Sequence, residues 1–161
     1  MNVFVLDLNP VKAAQYHNNR HCVKMILEST QILSTAAQIN IGANPLLYKP
    51  THIKHPCTLL ATKNRSNYIW VLELTKALLV EYTYRFGKDH KSGRLVKHLS
   101  EIAPRIPSGE LSFAQAMPDN YKNEDPVEAY RAYYRGDKRF DKAGRPLDVW
   151  TKRQKPDFME I

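Results

Sequence analysis

One stretch of the chain gathers residue types that do acid–base chemistry at a spacing that brings them together. His17, His21, Lys24, Glu28 and Gln31 are separated by 4, 3, 4 and 3 residues. On a continuous helix such spacing makes one polar line, because residues three and four apart are neighbours on the helix surface. A carboxyl group, an amine and two imidazoles in a row are the parts of a proton-transfer or covalent-amine site. Arg20 sits beside the line. The plainer reading of the same residues is a solvated helix side with a Lys24–Glu28 ion pair.

A second group of histidines follows in His52-Ile53-Lys54-His55-Pro56-Cys57. Zinc accepts imidazole and thiolate ligands, so His52, His55 and Cys57 are the candidate metal donors. Their spacing matches no tight zinc motif, and no metal is expected. Read structurally, His55-Pro56 opens a helix and Cys57 is a small core residue.

The third feature lies in the last third of the chain, where aromatics alternate with cations: Tyr130, Arg131, Tyr133, Tyr134, Arg135, Lys138, Arg139, Phe140, Lys142, Arg145, Trp150, Lys152 and Arg153. Stacking faces among phosphate-binding charges suit single-stranded or flipped nucleic acid. An upstream run of Arg85, Lys88, His90, Lys91, Arg94, Lys97 and His98 extends that basic surface. The opposing reading puts the tyrosines in the core and leaves the charges to solvate its rim.

These groups need elements to position them. Residues 2 to 8 read as a short buried strand or an extended apolar arm. Asn9-Pro10 is a helix start, with Asn as N-cap and Pro at the first helical position. From there to about Gln38 an apolar stripe runs through Val23, Ile26, Leu27, Thr30, Leu33 and Ala37, with a break expected near Tyr16-His17-Asn18-Asn19. Residues 40 to 56 form an irregular connection. A second long helix is expected from about Ser66 to Phe86, with Ile69, Leu72, Leu79 and Tyr82 apolar and Gly87 as its stop. A shorter helix covers Ser92 to about Ile102. Asp125-Pro126-Val127-Glu128 is a capping box that opens a helix ending at Gly136. The expectation is a mainly α, single domain over 1–161. Residues 126–161 make its C-terminal helix and an irregular basic-aromatic tail.

With 161 residues, the chain is long enough to bury about 70% of its unfolded surface without staples. Lys plus Arg is 24 against 16 for Asp plus Glu, a net charge of +8. That favours a polyanionic or anionic partner, nucleic acid or a nucleotide. Two cysteines cannot make a disulfide framework, no apolar run reaches the ~20 residues of a membrane span, and the N-terminus does not read as a signal peptide. The expected setting is the cytoplasm, that of an infected host cell included, with no membrane partner. The sequence carries neither a Gly-rich phosphate loop nor a G-x-S-x-G elbow, so ATP, NAD and serine-hydrolase chemistry lack support and no cofactor is expected.

The order of these features resembles the phage pyrimidine-dimer DNA glycosylase (endonuclease V) family and its phage relatives. The likeness runs loosely over most of the chain. It is carried by the polar-faced first helix, His55-Pro56, the helix end Leu78-Leu79-Val80-Glu81-Tyr82-Thr83-Tyr84-Arg85-Phe86-Gly87, and Tyr130-Arg131-Ala132-Tyr133-Tyr134-Arg135-Gly136. The resemblance implies an all-α protein that kinks duplex DNA, flips a base and cleaves the glycosidic bond through an imine. It also implies an α-amine nucleophile exposed by methionine removal, supported by a Glu on the first long helix and by arginines. Carried here, Glu28 is the carboxylate, Arg20 holds phosphate, and Tyr133 and Tyr134 meet DNA. Position 2 is Asn, and Met25-Ile26-Leu27 precede Glu28 in place of the arginine pattern, so Lys24 is the local candidate for the amine.

The first expectation is a DNA N-glycosylase, with abasic-site lyase activity, whose catalytic residues are Glu28, Lys24, His21 and His17. Arg20, Arg85, Tyr130, Arg131, Tyr133, Tyr134, Arg135, Lys138, Arg139 and Trp150 form its anion-binding face. The alternatives are an accessory protein that binds nucleic acid or sequesters an anionic nucleotide without turnover, and an enzyme acting on a free nucleotide or base.

Overall fold

A computed structural model describes residues 1–160. Among these the chain forms six α-helices: α1 (Pro10–Tyr16), α2 (Asn19–Ile41), α3 (Pro56–Lys63), α4 (Arg65–Phe86), α5 (Val96–Ile102) and α6 (Pro126–Asp137). No strand is present among the described residues, only one isolated bridge between Phe140 and Pro146. The protein is mainly α.

Local chemistry sets the helix ends. Asn9, Asn18, Asn64 and Asp125 cap α1, α2, α4 and α6, each accepting from a backbone N–H of the first turn. Such caps satisfy donors that the helix itself leaves unpaired. His55 does the same for α3, its Nδ1 accepting from Cys57 N–H at 3.2 Å. Gly87 ends α4 in the left-handed region at φ +64°, where a side chain would be strained. The expected break falls at His17-Asn18, so His17 stands outside α2 and only His21, Lys24, Glu28 and Gln31 share its polar line.

Helices α2 and α4 form the centre, with α1 and α3 against both or one of them and α5 across α2 and α4. The α2 core face includes Met25, Ile26, Ile32, Leu33, Ala36 and Ala37. Val23, Leu27 and Ile69, expected on the core stripes, are instead partly exposed. Thr30 is buried as expected, and Ser29, Ser34 and Thr35, which lay off the expected stripe, are buried with it. The hydroxyls of Ser29, Thr30 and Thr35 bond carbonyls one turn back at 2.6 to 2.9 Å, so these three enter the core paired, whereas the buried Ser34 hydroxyl has no partner among the described residues.

Residues 2 to 6 are the extended apolar arm, buried throughout. Phe4 lies among the rings of His21, Tyr134, Tyr130 and Tyr133 at 4.9 to 6.3 Å. The Arg131 guanidinium donates to Leu6 O at 3.0 Å, and Trp70 Nε1 donates to Leu8 O at 2.8 Å. These two bonds clamp the C-terminal end of the arm, at residues 6 and 8, while its first residues run onto α2.

Candidate functional site

The arm delivers the N-terminal residues to Glu28. This carboxyl is only 8% exposed. Its Oε2 accepts from Asn2 N–H at 2.9 Å and lies 3.6 Å from the Met1 α-ammonium, and its Oε1 lies 3.3 Å from Lys24 Nζ. A carboxylate withdrawn from water to this degree must be paired. Here three nitrogens pair it, two from the first two residues of the chain and one from its own helix.

Asn2 fixes that geometry. Its Nδ2 donates to Ala116 O at 2.8 Å, and its Oδ1 accepts from Val3 N–H at 2.8 Å. The Tyr130 hydroxyl lies 3.2 Å from Oδ1 and 2.7 Å from Ala114 O, and it accepts from Ala116 N–H. Cys57 Sγ lies 3.6 Å from the same Oδ1. Residue 2 is therefore held from α3, α6 and the 114–116 segment together.

His55 faces the same corner. Its Nδ1 accepts from Cys57 N–H, which leaves the ring proton on Nε2 in the neutral form. Burial lowers its pKa, and the N-terminal ammonium and His52 lower it further, while Glu28 and the Met1 backbone pull the other way. Those influences place the imidazole beside the first residue. The sequence singled out His55 as a weak metal donor and as the opening of a helix, and of these the helix opening is what the structure has. Among the described residues no three His, Cys, Asp or Glu side chains converge to hold a metal ion, so His52, His55 and Cys57 are not a ligand set.

His21 and His17 lie further toward the α2 N-terminus. The Tyr134 hydroxyl accepts from Asn18 N–H at 3.0 Å and lies 2.8 Å from His21 Nδ1, the one acceptor available for its own proton. Burial, with His17, Lys138, Lys24 and Arg20 adding repulsion, pushes the His21 pKa down to about 3. His17 is fully buried, its Nδ1 2.6 Å from Ala13 O, and its pKa is lowered to about 4 by burial with Arg85 adding repulsion. His17 is thus a core residue with no access to a substrate, which corrects its place on the catalytic line.

The expected anion-binding face divides in the same way. Arg85 is buried, bonded to Glu81 at 2.9 Å and to the carbonyls of His17 and Gln15. Tyr130 and Tyr134 are fully buried, and Trp150 is nearly so, its Nε1 donating to Tyr16 O. None of these four can meet a ligand at the surface. Arg131 is spent on Leu6 O, Glu128 and Asp7, and stacks on Phe158. Arg135 donates to Phe158 O, and Arg139 pairs with Asp148 at 2.7 Å. Tyr133 packs on Tyr121 with the Lys138 ammonium 4.5 Å from its ring centre. Arg20 and Lys138 do face a cleft, together with Lys24.

What the Glu28 corner can do chemically follows from its parts. A carboxylate touching an amine can accept the amine's proton, stabilise a cation built next to it, and return a proton to a leaving group. No family model, curated protein or solved structure matches the chain.

Proposed function

We propose that this chain is a DNA-acting N-glycosylase with abasic-site lyase chemistry, working through an amine held against Glu28. The observation that supports the reading is the mostly buried Glu28 carboxylate, which meets both the α-amine and the backbone nitrogen of residue 2 within 3.6 Å. If residue 1 is removed, the new α-amine is the nitrogen that already sits 2.9 Å from Glu28 Oε2. The resemblance to the pyrimidine-dimer glycosylases points to the same pair of groups.

In this reading the unprotonated amine attacks C1′ of a flipped nucleotide. The glycosidic C–N bond breaks, and the base leaves with the bonding electrons and takes up a proton from water. Glu28 stabilises the cationic sugar, takes a proton from the newly bound amine and passes it to the ring oxygen as the C1′–O4′ bond breaks to give the imine. Loss of a C2′ proton then expels the 3′ phosphate, and water hydrolyses the imine to restore the amine. As a class α-amines are less basic than lysine side chains by about two to three pH units, so the α-amine is the better nucleophile. Lys24, whose side chain is more than half exposed, supplies positive charge on the other carboxylate oxygen.

The test is borohydride trapping on duplex DNA with one abasic site. The wild-type chain forms a covalent adduct. Glu28→Gln, which keeps the acceptor for Asn2 N–H, lowers its rate by about a hundredfold or more. Absence of an adduct with folded wild-type protein across pH 6 to 9 removes the lyase chemistry and leaves a binding protein.

A further inference from the structure

Beyond the Glu28 corner, α2 faces a second concavity, between its first turns and the 137–147 segment. Arg20, Lys24, Lys138, Lys142 and Arg145 line this cleft of about 340 Å³ against two aspartates. Asp141 is engaged by Arg145 at 2.7 Å and approached by Arg20 at 3.7 Å. Lys138 and Lys142 have no ion-pair partner among the described residues.

A charged surface alone would be ordinary, but the wall of this one contains a built donor. His21 lines the cleft while only 6% exposed. Its Nδ1 is occupied by the Tyr134 hydroxyl, which is itself fixed by Asn18 N–H. The proton of the neutral ring is therefore on Nε2. Nε2 has no hydrogen-bond partner among the described residues, and it is not among the sealed, unpaired polar atoms of the core. The protein thus spends a buried hydroxyl and a backbone N–H on orienting one N–H donor at the edge of a cationic cleft. An N–H donor among lysines and arginines matches the oxygens of a phosphate group.

We propose that this cleft is a phosphate-binding subsite, with His21 Nε2–H donating to one non-bridging oxygen and Lys138 and Lys142 neutralising the charge, and that its occupant is a backbone phosphate of the strand whose reacting nucleotide lies at Glu28. The strand assignment rests on the glycosylase reading. His21 and Glu28 are two helical turns apart on one face, about 10 Å along the axis. That span equals about three base pairs of rise along a duplex axis at 3.4 Å each, so a strand whose duplex runs beside α2 reaches both places. Lys24 lies between them, lining the cleft and touching Glu28.

The experiment is binding of a labelled abasic duplex over a salt series, with three variants of the full chain. Lys138→Ala/Lys142→Ala removes one half-buried and one exposed charge, and the plot of log affinity against log salt should flatten by about 1 to 2, with affinity at 0.1 M salt falling about tenfold or more. His21→Phe removes a neutral donor, so affinity should fall about tenfold while the salt slope stays unchanged. Lys49→Ala/Lys63→Ala removes the same charge at exposed positions outside both basic surfaces and should leave the slope as in wild type. Equal flattening by both lysine pairs, or by neither, overturns the subsite, and this holds even if His21→Phe fails to fold. Inorganic phosphate and a nucleoside 5′-monophosphate provide the other arm, read from the His21 ring signals. If they perturb those signals at millimolar concentration while duplex affinity ignores the variants, the cleft is a small-anion site and the strand assignment fails. A flattened slope without any borohydride adduct keeps the subsite and removes the lyase reading. An adduct with unchanged slopes does the reverse.

Discussion

Acid should unfold this protein earlier than its carboxylates alone would dictate, because two imidazoles are locked neutral in the core. His17 is held at about 4 and His21 at about 3, against an ordinary value of 6.5, with burial the main cause at both. Below pH 6.5 the unfolded chain takes up protons at these two residues and the folded chain does not. Stability is therefore fully present above pH 6.5 and is lost as pH falls toward the folded values. At pH 5 each imidazole costs about 2 kcal/mol, from 1.36 kcal/mol per pH unit over the interval below 6.5, so together they cost about 4 kcal/mol. His55 and His90, also lowered mainly by burial, add to the loss in the same direction. Against a total stability of about 5–15 kcal/mol for a domain, this is a large fraction. With a urea slope of about 2 kcal/mol/M, the unfolding midpoint should drop by about 2 M between pH 7.5 and pH 5. Carboxylates titrate near 4, so that window reports on histidine. The assay is urea unfolding at half-unit pH steps, paired with NMR titration of the ring protons in the folded state. A midpoint that moves by less than about 0.5 M over the window would show that the two imidazoles are not held neutral in the folded chain. So would either imidazole titrating near 6.5.

Two further predictions concern the supports of the site. Glu81→Gln leaves the Arg85 guanidinium, 3% exposed, without its main counter-charge and also loosens Arg153, which pairs with Glu81 at 2.6 Å. It should cost about 3–5 kcal/mol in urea unfolding, whereas a cost below about 1 kcal/mol would mean the pair is dispensable. Tyr134→Phe strands Asn18 N–H and His21 Nδ1 and should cost about 1–3 kcal/mol. The same variant should shift the His21 ring signals; unmoved signals would show that the hydroxyl does not orient the imidazole.

The features legible in the sequence were those that a few adjacent residues decide. Asn9-Pro10, Asp125-Pro126 and Gly87 mark helix ends because caps and left-handed stops are local chemistry. The break at His17-Asn18 came from the same kind of signal. The core was harder to read, since α2 buries Ser29, Ser34 and Thr35 off the expected stripe while leaving Val23 and Leu27 partly exposed. The hydroxyls of Ser29 and Thr35 are satisfied by their own helix, a pairing that hydropathy patterns do not register. Tyr130, Tyr134 and Trp150 carry an apolar body and a polar tip, so the same letters suit a stacking surface or a hydrogen-bonded core. Only long-range packing settled them in the core. At the site, helical spacing placed Lys24 beside Glu28. The approach of Asn2, 26 residues away, and of His55 required the tertiary fold. Lys138 and Lys142 were visible as charge, but their cleft exists only because the 137–147 segment returns to the start of α2.

The most direct test of the amine at Glu28 is to digest the borohydride-trapped DNA adduct and locate it by mass spectrometry. The sugar is expected on the α-nitrogen of the N-terminal peptide. An adduct on any lysine side chain, Lys24 included, or an adduct that forms equally well in Glu28→Gln, would contradict it.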